Sequence, residues 1–347
     1  MFNLNKRKHE KSLKIKEKVL IIAEIGLNHN GSYNLAKKSM LEAFKAGADL
    51  VKFQNFKTED FLKNKKIEWK DGNETKSLFE ICKKNEFKDF WFDKLIKLAK
   101  KNRKRVFSTP TSVETTNNLV KRKINVVKNG SDYITNLPLI NYFSKKFKTI
   151  ILSTGMADEK QISEALSEIK KGKSSVILLH CTSLYPTPNR LASLSRINAL
   201  KKKFKLDVGF SDHTKGFLAA SLSVAMGARV IEKHFTLSKK LKGPDHWFSL
   251  NPKEFKEYVT NIRVAEKMMG QNTVKPSLQE LRNRDSMQVS MIFKKNIKKN
   301  EKLKFSQFDI LKSKKKSLKY SELKKIIGKK LKKNKKAGET INFKDAY

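Results

Sequence analysis

Short runs of β-branched and aliphatic residues alternate with longer amphipathic stretches from Val19 to Gly270. That is the pattern of strands each followed by a helix. VLIIAEIG (Val19 to Gly26) precedes Asn34 to Ala46, whose apolar positions recur at helical spacing. LVKFQNF (Leu50 to Phe56) is the second strand, and a polar insertion, Lys57 to Asn85, separates it from a helix over Phe90 to Lys101. RVFSTP (Arg105 to Pro110) and NVVKNGS (Asn125 to Ser131) flank a helix around Val113 to Lys121. Pro138 opens the next helix, where its missing N–H is harmless. TIILSTG (Thr149 to Gly155) and SVILLHCT (Ser175 to Thr182) follow, with helices over Glu159 to Lys170 and Leu194 to Lys203. The last two strands run into Phe210-Ser211-Asp212-His213 and Ile231-Glu232-Lys233-His234, with an alanine-rich helix from Gly216 to Gly227 between them. A helix over Pro252 to Met269 ends at Gly270, a suitable helix stop.

Eight such units in about 250 residues predict a closed (β/α)8 TIM barrel. An open doubly wound sheet would carry a glycine-rich dinucleotide turn after its first strand, and AEIGLNHNG does not match one. Residues 1–18 read as a basic extension, 19–270 as the barrel and 271–286 as a polar linker with one helical turn. Residues 287–347 carry the short apolar pieces SMIF, KLKFSQFDIL, ELKKIIGKKL and GETINF, which predict a small β-rich domain. A module of that size is marginal alone and is expected to dock onto something.

Composition adds constraints. The 347 residues are 38% hydrophobic, enough for a packed core rather than disorder. No apolar run reaches the length that crosses a membrane, and the start lacks the apolar core of a secretory signal. Cys82 and Cys181 make no disulfide framework, so a reducing cytoplasm is the expected home. The formal charge of +43 raises a second class of function, nucleic-acid binding. The lysines are spread along the chain and mostly on polar helix faces, and no nucleic-acid signature with interleaved aromatics occurs. We read the charge as compositional, with phosphate-bearing substrates as its local use and no nucleic-acid partner expected.

Polar side chains concentrate where the predicted strands end. In a parallel α/β barrel that edge is where chemistry is assembled. His213 and His234 occupy equivalent strand ends. They either share one divalent metal, which imidazole suits, or are each buried and hydrogen-bonded. Lys52 and Lys128 lie inside apolar strands, where an ammonium is costly unless it meets an anion. With Ser131, Ser153 and Ser211 as hydroxyl donors they would cradle a phosphate and a carboxylate. Glu24 either exchanges a proton or orients a water, or forms an ion pair with Lys52. Tyr185 and the Pro186-Thr187-Pro188 turn would form a pocket wall, and Asp245, in the Gly243-Pro244-Asp245 turn, would meet sugar hydroxyls or cap the next segment.

AEIGLNHNG, VKFQ, STGM, LLHCTSLYPTP, GFSDHT, and IEKHFTL followed by GPDH, in that order, closely resemble the sialic acid synthase family, whose members make N-acetylneuraminic, legionaminic and pseudaminic acids. The resemblance covers about Val19 to Gly270 and extends, more weakly, to a diverged antifreeze-like (SAF) domain at the end. It implies condensation of phosphoenolpyruvate with an open-chain N-acylated amino sugar, N-acetylmannosamine or a diacetamido-trideoxyhexose, to give a nine-carbon 2-keto acid and phosphate. It further implies a manganese (Mn2+) or magnesium (Mg2+) ion on His213 and His234, and a water acted on by Glu24. Phosphoenolpyruvate would be bound by Lys52, Lys128, Ser131, Ser153, Ser183 and Ser211. Gln54, Tyr185 and Asp245 would lie near the amino sugar, and a domain-swapped homodimer is the implied assembly. The chain departs from the family pattern at Asp132-Tyr133, where a glycine and an acid are usual. It departs again at ILKSKKKSL, where Lys312 only approximates the usual arginine, and at Gln288-Val289-Ser290, where paired arginines are missing.

Overall fold

A computed structural model describes residues 18–71, 74–313 and 315–347. Most of the basic N-terminal extension, residues 1–17, lies outside the described residues. So do residues 72 and 73 of the polar insertion and residue 314 of the lysine-rich stretch. Residues up to Gly270 form one compact unit and Gln271–Tyr347 form a second. No described helix is long and apolar enough to cross a membrane.

The first unit holds a closed barrel of eight parallel strands. In chain order they are β1 (Leu20–Gly26), β2 (Leu50–Asn55), β3 (Arg105–Pro110) and β4 (Val126–Asn129), then β5 (Thr149–Ser153), β6 (Ser175–Cys181), β7 (Asp207–Asp212) and β8 (Val230–His234). Each strand pairs with its sequence neighbours, and β8 returns to β1 with Glu24 opposite His234. Strand residues alternate between the two faces. Ile21, Ala23, Val51, Phe53, Val127, Leu152, Leu178 and Phe210 therefore join the main core on the outside of the barrel. Ile22, Leu50, Phe107, Val126, Ile151, Ile177, Leu179 and Val230 form a separate apolar plug inside it.

The helices begin and bury as their sequences require. Ser112 with Thr115, Asp158 with Gln161, and Asn251 with Glu254 make reciprocal caps that satisfy otherwise unpaired N–H groups. Helix Phe90–Lys101 buries Trp91, Phe92, Leu95 and Ala99, the stripe that 3.6-residue periodicity aims at the sheet.

Two regions hold more structure than their polarity predicts. Lys57 to Asn85 contains a short helix (Thr58–Phe61), a hairpin pairing Glu68–Asp71 with Glu74–Ser77, and a helix (Leu78–Lys84) capped by Ser77. In the second unit, the expected single helical turn is a ten-residue helix, Leu278–Met287, started by a reciprocal cap between Ser277 and Glu280. Its weak amphipathicity explains why periodicity does not reveal it. Beyond it, Ser290–Phe293 pairs antiparallel with Phe308–Leu311 over a core including Met291, Phe293, Leu303, Leu323, Leu331 and Ile341.

Candidate functional site

Two residues beyond the last plug residue of seven strands, and two beyond Gly209 in β7, the inward positions change chemistry toward the carboxyl ends of the strands. Glu24, Lys52, Thr109, Lys128, Ser153, Cys181, Ser211 and Glu232 form a buried polar ring. Lys52 Nζ lies 2.8 Å from Glu24 Oε2 and donates to Thr109 Oγ1 at 2.9 Å. Across the ring Lys128 Nζ donates to Glu232 Oε1 at 3.2 Å, and Ser211 Oγ donates to the same oxygen at 3.0 Å. Two ammoniums and two carboxyls thus compensate each other where a lone charge would be strongly destabilising. The two carboxyls are not alike. Burial, reinforced by the neighbouring charge of Glu232, raises the Glu24 pKa to about 7 even against the attraction of Lys52. Burial also penalises ionised Glu232, but Lys128 and Lys52 outweigh it and hold that carboxyl below its usual range. One carboxyl is thereby tuned to exchange a proton near neutral pH while the other stays charged.

On one side Ser153 of the ring is joined by Ser131 and Ser183, and the three present hydroxyls. Ser131 Oγ accepts the Gly155 N–H at 3.1 Å, and the hydroxyls of Ser153 and Ser183 are buried without a hydrogen-bond partner. A methyl group added at Gly155 would stand 2.4 Å from Ser183 Oγ and 2.7 Å from Ser131 Oγ, so these two hydroxyls converge on the space glycine leaves. On another side, Gly26 is the meeting point of Glu24, Asp245 and Gln54. A Cβ there would lie 3.1 Å from Glu24 Oε1, 3.3 Å from Asp245 Oδ2 and 3.7 Å from Gln54 Nε2.

The two histidines close the third side, with ring centroids 5.5 Å apart. His213 Nδ1 is 2.9 Å from the Thr182 carbonyl, which assigns the proton to that nitrogen and leaves Nε2 as the lone pair. His234 Nδ1 is buried without a hydrogen bond and lies 3.8 Å from Asp245 Oδ2. Burial, then the nearby His213, lowers the His234 pKa well below the usual value, so its ring is neutral. The residue types suit a divalent ion: two imidazoles lie close in a T-shaped arrangement, one with an orphaned nitrogen, and a carboxylate stands beside it. Among the described residues no three or more His, Cys, Asp or Glu side chains converge as a closed metal cage. A two-imidazole site would leave open positions, the arrangement of a catalytic rather than a structural ion.

All twelve residues singled out from the sequence come to this mouth, but not all in the expected role. Ser211 is engaged by Glu232 rather than free. Asp212, noted beside His213, turns outward by strand alternation and meets Lys233 at 3.2 Å and the Tyr258 hydroxyl at 2.8 Å. His29 and His180 are structural. His29 sits among Phe53, Phe87 and Trp91, and His180 Nε2 bonds the Ala192 carbonyl. Asp132 stands open at the rim. Partial desolvation raises its pKa against its own backbone N–H and the attraction of Lys128 and Lys52.

The sequence reading assigned no role to Cys181 or Phe248, and it noted Glu232 only as a neighbour of His234. Cys181 lies 3.6 Å from Ser131 Oγ and 3.9 Å from His213 Nδ1, and Glu232 anchors Lys128; counting every second residue back from His234 or along SVILLHC would have found both places. Phe248, whose ring is 5.0 Å from His234, lies in a loop where no period marks it.

The profile of the NeuB family matches residues 40–274. The chain belongs to the NeuB family. Its NeuB relatives include the N,N'-diacetyllegionaminic acid synthase of Campylobacter jejuni, 42% identical over 82% of this chain and 87% of that one. The enzyme of the same name from Legionella pneumophila is 37% identical over 92% of both chains, a span that reaches into the second unit. A crystal structure of an N-acetylneuraminic acid (sialic acid) synthetase from Leptospira borgpetersenii, in complex with citrate, superimposes with a TM-score of 0.71 at 36% identity, covering 78% of this chain and 92% of that one.

Proposed function

We propose that the chain is a sugar-acid synthase that joins phosphoenolpyruvate to an open-chain N-acylated amino sugar, forming a carbon–carbon bond and releasing phosphate. The observation that carries this reading is the mouth itself: buried pairs of two lysines and two glutamates beside the buried hydroxyls of Ser153 and Ser183, which have no hydrogen-bond partner. Phosphoenolpyruvate is a small trianion, and Lys52 and Lys128 offer it two ammoniums in a site of low dielectric. Ser131, Ser153 and Ser183 supply hydroxyl donors to its phosphate and carboxylate oxygens. Gln54, Tyr185 and Asp245 hold the sugar. His213 and His234 would hold Mn2+ or Mg2+, which supplies Lewis acidity toward the sugar aldehyde.

Carbon 3 of phosphoenolpyruvate bonds the aldehyde carbon as the enol π bond opens and the aldehyde π pair passes to its oxygen, and positive character develops at carbon 2. Glu24, poised near neutrality, removes a proton from the water that adds there and returns it to the aldehyde oxygen, which becomes a hydroxyl; the proton of the new hydroxyl at carbon 2 leaves with the phosphate as the tetrahedral centre collapses to the ketone. Glu232 stays ionised, fixing Lys128 and Ser211 and offsetting positive charge during the reaction.

Of the two acceptor classes, the identity to the Campylobacter and Legionella enzymes supports a diacetamido-trideoxyhexose. N-acetylmannosamine is the second reading, supported by the likeness to the Leptospira synthetase. The second unit is a diverged antifreeze-like domain in this reading, and the active assembly a homodimer. The test is phosphate release. It should require both phosphoenolpyruvate and an acyl amino sugar, vanish with EDTA and return with Mn2+. Release that ignores EDTA removes the metal from the scheme, and no release with any acyl amino sugar removes the synthase.

A further inference from the structure

Beside the two histidines stands an aromatic wall of which the scheme so far uses only Tyr185. The Tyr185 ring lies over His213 with centroids 4.2 Å apart, and Phe248 packs against both Tyr185 at 5.3 Å and His234 at 5.0 Å. Trp247 meets the Phe248 ring edge-on at 5.5 Å. Behind them is a cavity of about 410 Å³ lined by Phe217, Trp247, Phe248, Leu250 and Tyr258, among others.

This wall is held rigidly although it belongs to a loop. The residues on either side of Trp247-Phe248 are fully buried and hydrogen-bonded. On one side His246 Nε2 is 3.1 Å from Asn30 Oδ1, and its Nδ1 is 2.7 Å from Thr236 Oγ1. Asn30 also donates to the Lys242 carbonyl at 2.8 Å, which makes its Oδ1 the acceptor and His246 Nε2 the donor. On the other side Ser249 Oγ accepts from Asn28 Nδ2 at 2.9 Å and donates to the Asp245 carbonyl at 2.5 Å. Two clasps from the loop after β1 thus fix the loop after β8. A half-buried phenyl ring at the end of such clasps is a shaped surface, since a loop aromatic without them would sample many positions.

Resting on the synthase reading, we infer that Phe248, with Tyr185, determines acceptor specificity by presenting an apolar wall to the sugar beside the two histidines, favouring acceptors that carry methyl groups where others carry hydroxyls. A diacetamido-trideoxyhexose offers a second acetyl methyl and a terminal methyl. N-acetylmannosamine offers one acetyl methyl and a hydroxymethyl group, whose hydroxyl finds no partner on a phenyl face. Each methyl covered by an apolar wall is worth about tenfold or more in discrimination.

The test compares kcat/KM for the two acceptors in the wild type, Phe248→Ser and Phe248→Leu. The wild type should prefer the trideoxy acceptor, and Phe248→Ser should cut that preference by about tenfold. The KM for phosphoenolpyruvate should stay put, and Phe248→Leu should recover most of the preference. A ratio that does not move in Phe248→Ser, or a phosphoenolpyruvate KM that rises in step with the acceptor KM, overturns the inference. If Phe248→Ser does not fold, Phe248→Tyr decides: its added hydroxyl should lower the same ratio, and an unchanged ratio counts against the wall. Absence of turnover with both acceptors in the wild type sinks the synthase reading, and this inference with it. Turnover with an unmoved ratio sinks only this one.

Discussion

Gly155→Ala is the sharpest perturbation of the proposed phosphoenolpyruvate cradle, because it adds one carbon at the point where two hydroxyls converge. The new Cβ would stand 2.4 Å from Ser183 Oγ and 2.7 Å from Ser131 Oγ, where ordinary contact begins at 3.4 Å. Relieving the worse clash requires a shift of about 1 Å, and a misplacement of that size in a reacting site costs about 100-fold, or roughly 2.7 kcal/mol. The Gly155 N–H that Ser131 accepts would be displaced with it. Overpacking should also lower global stability by about 1–3 kcal/mol. The assay is phosphate release against phosphoenolpyruvate concentration at saturating acceptor, with thermal unfolding alongside. The variant should fold, melt somewhat lower, and show its loss mainly in the phosphoenolpyruvate KM rather than the acceptor KM. A folded variant whose phosphoenolpyruvate KM rises by less than about tenfold would refute the cradle, because the geometry leaves no room for both the methyl and the two hydroxyls in their present positions.

Two further predictions address stability. Lys128→Met leaves Glu232 buried without its main counter-charge, and should cost about 3–5 kcal/mol, lowering the melting temperature by about 10 °C. Lys128→Met with Glu232→Gln should recover part of that loss in denaturant titrations, and a double variant as unstable as the single one would show that charge compensation is not what the pair provides. His29 is held neutral among aromatic rings, its pKa lowered by burial from 6.5 to about 4. The unfolded chain therefore binds a proton between those values that the folded chain does not. Stability from this group is present above pH 6.5 and is lost as pH falls toward 4, by about 3 kcal/mol in all. His29→Phe should flatten that acid limb, and equal acid limbs in the two proteins would contradict the assignment.

What the chain determined by itself is the barrel and the identity of its mouth residues. Period-two strands and period-3.6 helices act over a few residues, so VLIIAEIG, RVFSTP and the Phe90–Lys101 stripe reveal their elements without knowledge of the rest. Alternation also places Lys52, Lys128 and the two histidines on the inward face at strand ends, and the plug beneath them follows from the same count. The pairings were decided elsewhere. Whether Glu24 meets Lys52, and whether Ser211 meets Glu232 or a ligand, depends on strand register and barrel closure, which bring together residues up to 210 positions apart, as Glu24 and His234 are. The outward turn of Asp212 is legible by counting, yet its bond to Tyr258 needs a helix 46 residues away. The Phe248 wall was least visible, because a loop has no period and its conformation is set by clasps from Asn28 and Asn30, more than 200 residues earlier. Local propensity writes the elements; desolvation and hydrogen bonding across the closed barrel choose which polar groups meet, and those choices exist only once the strands are in register.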